Sequence, residues 1–408
     1  MTSIAKAFIV LLIPLGLLVG SSQVCLAETF EQPPAFDAGK LLGTKATGPN
    51  YRITTPVTSD GLLRIYTLET SYGRIRVLGD QLLRLRLGEL AALNQLEKVS
   101  TSEAFTNALN NTANVQLKHA GEFIANPVGT IGKAVSGVGL MFNQMASNMN
   151  NLGKSGDNPV SDAIGVSTQK RQLAIKLGVD PYTDFDPLST KLDQMALIQA
   201  AGAYPVSGGL LLSGIDFSNA STNKLGNMPI GDIVRDYTIA QILDLNRQRL
   251  SAMDVETTAI DALLTNKNYT PLDVTAMVAA LDSMKTVEAR SIFVARAAFA
   301  NQKDVAYFMR RRAELLADYQ AKTGALVRFV SLGGFPFNET REGKIVGVLP
   351  IDIISWTQNT SRAALAITDA IKRSNASGQP ELRITGRATS LAKQRLKDLG
   401  WALVENAR

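Results

Sequence analysis

The fold class is indicated most clearly by residues 382–404, LRITGRATSLAKQRLKDLGWALV. An apolar strand, Leu382 to Thr385, leads to a helix capped by Thr389 or Ser390. Gly400 ends this helix, and a final strand, Trp401 to Val404, follows. We expect Ala392, Leu396 and Leu399 to form the buried face of this helix. A strand, helix and strand in this order predict a small layered α/β unit at the C-terminus.

The remainder of residues 324–408 extends this C-terminal unit. We predict a strand over Leu326 to Leu332, a loop over Gly333 to Gly343, a strand over Lys344 to Ile354 and a helix from about Trp356 to Lys372.

Residues 232–323 predict a helical bundle, with breaks at Asp254, at Asn266 to Pro271 and at Thr286. The clearest helix start is Thr270-Pro271-Leu272-Asp273, a cap followed by a first-turn proline and an acidic residue. The adjacent arginines 310–312 point in different directions around a helix, so we expect them to be solvated or paired with Glu314 and Asp304.

Residues 28–78 form a small β region. The pattern from Tyr51 to Val77 predicts a meander of three antiparallel strands, with turns at residues 59–61 and 71–73. Asp80 can cap the helix that follows. The predicted class is therefore α+β and predominantly helical, with an N-terminal antiparallel β-hairpin or meander, a central helical bundle and a small C-terminal layered α/β unit.

Residues 79–231 predict a helical region with two unusual segments. Within residues 126–156, which are rich in Gly and Asn, seven apolar residues fall on one helical face: Ile131, Val135, Val138, Phe142, Met145, Met149 and Leu152. We interpret this face as a candidate interaction surface. It would pack against the protein's own core, a membrane interface or a partner helix.

Residues 194–215 carry no charged side chain. The pattern predicts a buried helix followed by a glycine-rich turn, or alternatively a membrane span.

Residues 1–27 resemble a secretory signal peptide. One charge, Lys6, precedes an apolar run that is too short to span a bilayer, and we expect cleavage after Ala27. The alternatives are a lipidated Cys25 and an uncleaved anchor. The signal predicts export to the periplasm or to the exterior of a bacterium.

The composition excludes several chemistries. The chain has one His, His119, and one Cys, Cys25, so a zinc site built from Cys and His is excluded. Cleavage after Ala27 would leave a cysteine-free mature chain, which suits an oxidising compartment. The net charge of +6 is mild, and no basic stripe with stacking aromatic residues indicates nucleic-acid binding.

Three short motifs occur in the order Ser167-Thr168-Gln169-Lys170, Ser221-Thr222-Asn223 and Lys322-Thr323-Gly324. They resemble the motifs of penicillin-binding proteins and class A β-lactamases. The resemblance implies Ser167 as nucleophile, Lys170 as its base partner, and Ser221 and Asn223 as the second motif. Lys322 would bind the substrate carboxylate, and a strand from Ala325 to Leu332 would match the family's edge strand. The alternative interpretation is three unrelated loop and helix segments.

The remaining polar groups do not form a predicted cofactor or metal site. The acidic segment 180–186 lacks the EF-hand spacing, and we interpret it as a turn and a helix start. His119 has no acid or serine partner in the pattern. We therefore expect a secreted, non-catalytic cell-envelope protein that contacts another envelope protein or a cell-surface polymer. A serine acyl-transfer enzyme and a membrane-active protein that uses residues 126–156 and 194–215 are the alternatives.

Overall fold

The computed structural model describes residues 29–100, 161–200 and 224–407. These residues form a mixed α+β structure that is predominantly helical, with antiparallel strands near the N-terminus and a sheet near the C-terminus. The predicted fold class is therefore confirmed.

The chain divides into two compact units. The described residues of the first unit are 29–83, 250–263 and 277–407, and those of the second are 84–100, 161–200, 224–249 and 264–276. Both ends of the described chain thus contribute to the first unit.

The N-terminal part of the first unit is a five-stranded antiparallel sheet preceded by a short helix. Its elements are α1 (Ala38–Leu42), β1 (Thr47–Gly48), β2 (Tyr51–Ile53), β3 (Thr58–Ser59), β4 (Arg64–Thr70) and β5 (Gly73–Leu78). Strand β4 is central, because β2, β3 and β5 all pair with it. Gly73, with a φ of 107°, closes the hairpin between β4 and β5. The predicted meander is confirmed, with two further short strands.

The second unit is helical. Its elements are α2 (Asp80–Ser100), which starts in the first unit, α3 (Ser161–Lys176), α4 (Asp186–Ala200), β6 (Lys224–Leu225), β7 (Met228–Pro229), α5 (Ile230–Asp236) and α6 (Ile239–Ser251). In the acidic segment, the carboxylate of Asp180 accepts a hydrogen bond from the Tyr182 N–H at 2.8 Å, and Asp186 begins α4. The predicted turn and helix start are confirmed.

Four helices precede the C-terminal sheet: α7 (Thr257–Leu264), α8 (Pro271–Ser283), α9 (Ser291–Ala298) and α10 (Lys303–Thr323). The predicted cap of α8 is present, because Thr270 Oγ1 accepts from the Asp273 N–H and the Asp273 carboxylate accepts from the Thr270 N–H, both at 3.1 Å. The predicted break at Asp254 lies between helices, and the break at residues 266–271 ends at Pro271, the first residue of α8.

The arginines of α10 divide into two groups. Arg310 and Arg311 form ion pairs with Glu314, as predicted. Arg312 is fully buried, and its guanidinium lies 4.2 Å from the ring centroid of Phe335 while Nε donates to the Val348 carbonyl at 3.3 Å. The expectation of a solvated or acid-paired Arg312 is therefore wrong, because aromatic rings and backbone carbonyls hold this cation.

The C-terminal part of the first unit is a mixed five-stranded sheet in the order β14, β12, β10, β9, β8. Its elements are β8 (Leu326–Leu332), β9 (Phe335–Thr340), β10 (Ile345–Leu349), β11 (Ile353–Ile354), α11 (Gln358–Lys372), β12 (Glu381–Ile384), β13 (Arg387–Ala388), α12 (Ser390–Asp398) and β14 (Ala402–Val404). Strands β10, β12 and β14 are parallel, so α11 and α12 are the crossovers of two βαβ units.

The predicted loop over Gly333 to Gly343 is wrong, because it contains β9. Gly333 and Gly334 both have positive φ and form the tight turn between β8 and β9. Pro336 made the sequence read as a loop here, since proline lacks the backbone N–H that a central strand uses for pairing. The strand nonetheless pairs on both sides, with β8 and with β10.

Candidate functional site

An apolar cavity of about 70 Å³ lies in the C-terminal part of the first unit, between α11, α12 and the sheet. Its walls include the side chains of Phe337, Leu349, Trp356, Ile367, Leu382 and Trp401. Asn359 and Thr360, in the first turn of α11, are the polar residues of the lining. Concave, mostly apolar spaces with a few polar groups are candidate binding sites.

The first turn of α11 is fixed by a reciprocal cap. Thr357 Oγ1 accepts from the Thr360 N–H at 3.2 Å, and Thr360 Oγ1 accepts from the Thr357 N–H at 2.8 Å. The next turn presents Ala363 and Ala364 to the cavity. These small side chains leave the space that larger residues would fill, so the cavity results from the sequence of α11.

Both tryptophans of the chain line the cavity, and each is held by a polar contact. Trp401 Nε1 donates to Thr368 Oγ1 at 2.9 Å. The backbone of Trp356 makes two hydrogen bonds with Glu31: its N–H donates to the Glu31 carboxylate at 2.6 Å, and its carbonyl accepts from the Glu31 N–H at 3.0 Å. The Glu31 carboxylate also accepts from the hydroxyl of Thr389, the cap of α12. The cavity wall is therefore preformed.

A buried carboxyl group, that of Asp352, links the two five-stranded sheets of the first unit. One of its oxygens accepts from the Arg64 N–H at 2.9 Å and from the Asp80 N–H at 3.0 Å. Burial raises the pKa of the Asp352 carboxyl to about 8, and the charge of Asp80 adds to the shift, although the two N–H donors and Arg64 oppose it. Its hydrogen bonds to two backbone amides indicate that Asp352 fixes the fold.

Asp80 is the centre of a second set of contacts. Its carboxylate pairs with Arg64 at 2.5 Å and accepts from the Tyr66 hydroxyl at 2.6 Å. Burial, together with the charge of Asp80, raises the pKa of Tyr66, so the phenol stays protonated. A cavity of about 20 Å³, large enough for one water, is lined by Asp352, Asp304 and Arg311.

The second unit has its own buried acid, Glu89. It pairs with Arg86 at 2.7 Å and accepts from the Thr183 hydroxyl. Burial raises the pKa of the Glu89 carboxyl to about 7, against the attraction of Arg86 and the hydrogen bond from Thr183. Arg86 also pairs with Asp184 at 3.2 Å. Among the residues that the structure describes, no group of three or more His, Cys, Asp or Glu side chains could hold a metal ion.

The first and third serine motifs lie on different helices. Ser167 and Lys170 are on α3 of the second unit, where the Lys170 ammonium pairs with Asp193 at 2.8 Å and donates to Ser189 at 3.1 Å. Lys322 is in the last turn of α10 in the first unit, and Gly324 is the left-handed cap of that helix. Strand β8 follows and is an edge strand, as the resemblance implied. Ser221 and Asn223 lie outside the described residues.

Two other sequence predictions also fall outside the described part of the chain. These are the interaction surface formed by Ile131, Val135, Val138, Phe142, Met145, Met149 and Leu152, and the residue His119. Of the uncharged segment, residues 194–200 belong to α4. None of the helices within residues 29–100, 161–200 and 224–407 has the length and apolar character needed to cross a membrane.

The sequence interpretation missed the residues that form the cavity and the buried carboxylate. A signal was present for the cavity, because both tryptophans fall in the predicted α/β unit. No pattern around Asp352 indicates its role, since that role depends on backbone amides nearly 300 residues earlier in the chain. Comparison with protein-family models, with curated proteins and with solved structures found no match to this chain.

Proposed function

We propose that the chain is a secreted, non-catalytic protein of the bacterial cell envelope that mediates interaction with another protein or with the cell surface. Export is supported by the signal-peptide pattern of residues 1–27 and by the absence of cysteine after Cys25 in the sequence. Interaction, rather than chemistry, is supported by the character of the C-terminal cavity.

The lining of that cavity is the observation that carries the proposal. Among its fourteen lining residues there is no carboxylate, amine, imidazole or thiol. One of the two polar side chains, Thr360, is already used in the cap of α11. Walls of this kind bind an apolar group by excluding water, and they offer no titratable group for proton transfer.

Export and partner binding can be tested on the full chain in a bacterial host. We expect mass spectrometry of the protein from the periplasm or the medium to give Glu28 as its first residue. Photo-cross-linking in intact cells, with the cross-linker at several exposed positions, should give one reproducible adduct with an envelope component. Retention of the uncleaved chain in the cytoplasm would contradict export, and a chain that forms no adduct at any position would contradict the binding role.

The serine acyl-transfer reading is the first alternative, and the edge strand that follows Lys322-Thr323-Gly324 favours it. This alternative predicts covalent labelling by a fluorescent penicillin that is lost in Ser167→Ala. Our proposal predicts that both proteins remain unlabelled.

A membrane-active protein that uses residues 126–156 and 194–215 is the second alternative. It predicts that the mature chain floats with liposomes, and that a variant with charged residues at Val135 and Phe142 does not. Our proposal predicts that both proteins stay in the soluble fraction.

A further inference from the structure

We propose that the cavity beneath α11 is an anchor pocket that takes one aliphatic side chain, such as that of leucine, from a protein partner. The inference rests on the proposed function and specifies the partner's chemistry. In protein interfaces, a few side chains that enter well-packed pockets supply most of the binding energy.

The size of the cavity selects the ligand. Its volume of about 70 Å³ is roughly half that of an engineered apolar cavity of about 150 Å³ that stays dry and binds benzene. We expect such a space to take a branched group of about four carbons more readily than a phenyl ring. A lipid acyl chain continues far beyond four carbons and would need a longer apolar channel.

The polar residues of the lining favour a peptide over a hydrocarbon. Asn359 is half-buried in the first turn of α11 and carries both a donor and an acceptor in its amide. A peptide group next to an inserted side chain also has one donor and one acceptor, so the two can pair. A saturated chain has neither group.

Hydrogen bonds and a ring contact hold both tryptophans of the cavity wall in place. Glu31 holds the backbone of Trp356, and Thr368 holds the indole of Trp401. The ring of Trp401 also packs against Phe337, with a centroid distance of 6.3 Å. A preformed pocket avoids the entropy cost of ordering its side chains when the ligand enters.

The first experiment uses tryptophan fluorescence excited at wavelengths that tyrosine does not absorb, because Trp356 and Trp401 are the two tryptophans of the chain. We expect N-acetyl-leucine amide at millimolar concentrations to change the emission in a saturable way. N-acetyl-glycine amide should bind about tenfold to a hundredfold more weakly, as expected for one buried aliphatic side chain. N-acetyl-phenylalanine amide should not compete with the leucine amide. Octanol stands for a lipid acyl chain and should not be the preferred ligand.

Two substitutions test the location of the site. Ala363→Leu fills the cavity and should abolish the response to leucine amide, whereas Ala366→Leu on the same helix, outside the lining, should retain it. Ile367→Val enlarges the cavity by one methyl group and should improve binding of the longer N-acetyl-methionine amide. This second variant keeps the test decisive if Ala363→Leu fails to fold.

The proposal is overturned if leucine and glycine amides give the same response, if octanol is the preferred ligand, or if Ala363→Leu responds like the unmodified protein. Photo-cross-linking separates this failure from failure of the proposed function. A cross-linker at Asn359 should give the partner adduct, and Ala363→Leu should remove it. If an adduct forms elsewhere on the surface and persists in Ala363→Leu, the proposed function stands, but the cavity is not the binding site.

Discussion

A carboxylate oxygen of Asp352 accepts a hydrogen bond from the backbone N–H of Asp80 at 3.0 Å, across 272 residues of sequence. The same oxygen accepts from the Arg64 N–H at 2.9 Å. One side chain of the C-terminal part of the first unit thus satisfies two amides of its N-terminal part. This arrangement explains how a carboxyl group is accommodated with only 2% of its surface exposed.

Removal of the Asp352 carboxylate should destabilise the protein. In Asp352→Ala, two backbone donors lose their acceptor, and we expect a loss of about 2 kcal/mol in the free energy of unfolding. Asp352→Asn keeps one carbonyl oxygen as an acceptor, so its free energy of unfolding should fall by less. Urea denaturation of the three proteins at one pH measures the difference. Equal stability of Asp352→Ala and the unmodified protein would show that the two amides do not depend on this side chain.

The stability of the protein should fall as pH rises from about 6 to 8. The pKa values of Asp352, about 8, and Glu89, about 7, lie above those of unfolded carboxyl groups. In this window the native state therefore retains protons that the unfolded state has lost, so each rise in pH favours unfolding. Each carboxyl contributes at most about 1.4 kcal/mol per pH unit.

Two variants separate these contributions. Asp352→Asn should remove the part of the slope between pH 7 and 8, and Glu89→Gln should reduce the slope below pH 7. The measurement is the urea midpoint at intervals of pH. A midpoint that rises with pH in the unmodified protein would have the wrong sign for raised pKa values.

Gly386 should tolerate no side chain. A Cβ atom at this position would lie 1.9 Å from the Asp352 carbonyl oxygen, which is backbone and cannot move aside. We expect Gly386→Ala to cost at least about 2 kcal/mol, as other overpacked sites do. The matched control is Gly231→Ala in α5, where nothing lies within 4 Å of the added atom. That change should be neutral or stabilising by about 1 kcal/mol, and thermal denaturation distinguishes the two.

Arg312 should not be replaceable by lysine. Its planar guanidinium lies over the Phe335 ring and donates to the carbonyls of Val348 and Pro336. A lysine ammonium is a strongly hydrated point charge without this geometry, so we expect Arg312→Lys to lose about 3 kcal/mol. Arg52→Lys is the control, because Arg52 is 70% exposed in its pair with Glu69 and should change stability by less than about 0.5 kcal/mol. Similar losses in the two variants would indicate that the stacking has no special role.

Local signals in the sequence predicted much of the fold. The cap at Thr270, the turn at Gly73 and strand β8 each depend on a few neighbouring residues, and each was found where the pattern placed it. Strand β9 was missed because its pairing on both sides outweighs the local effect of Pro336. Local propensity is only a weak guide to strands for this reason.

The candidate site was less predictable. The cavity arises because α11 presents two alanines to a sheet built from distant strands, and that gap appears only after packing. Arg312 illustrates the same limit, since its neighbours in sequence, Arg310 and Arg311, pair with Glu314 instead. Position on the helix alone does not reveal that aromatic rings surround the third arginine.

The contact between Glu31 and Thr389 bears on the order in which the chain acquires its structure. These residues are 358 positions apart, and at synthesis rates of roughly 5 to 20 residues per second the second emerges about 20 to 70 s after the first. Through that interval the N-terminal strands lack the partners that complete their core. Until Asp352 and Thr389 have emerged, their hydrogen bonds with Arg64, Asp80 and Glu31 cannot form, so this part of the first unit is completed only near the end of synthesis.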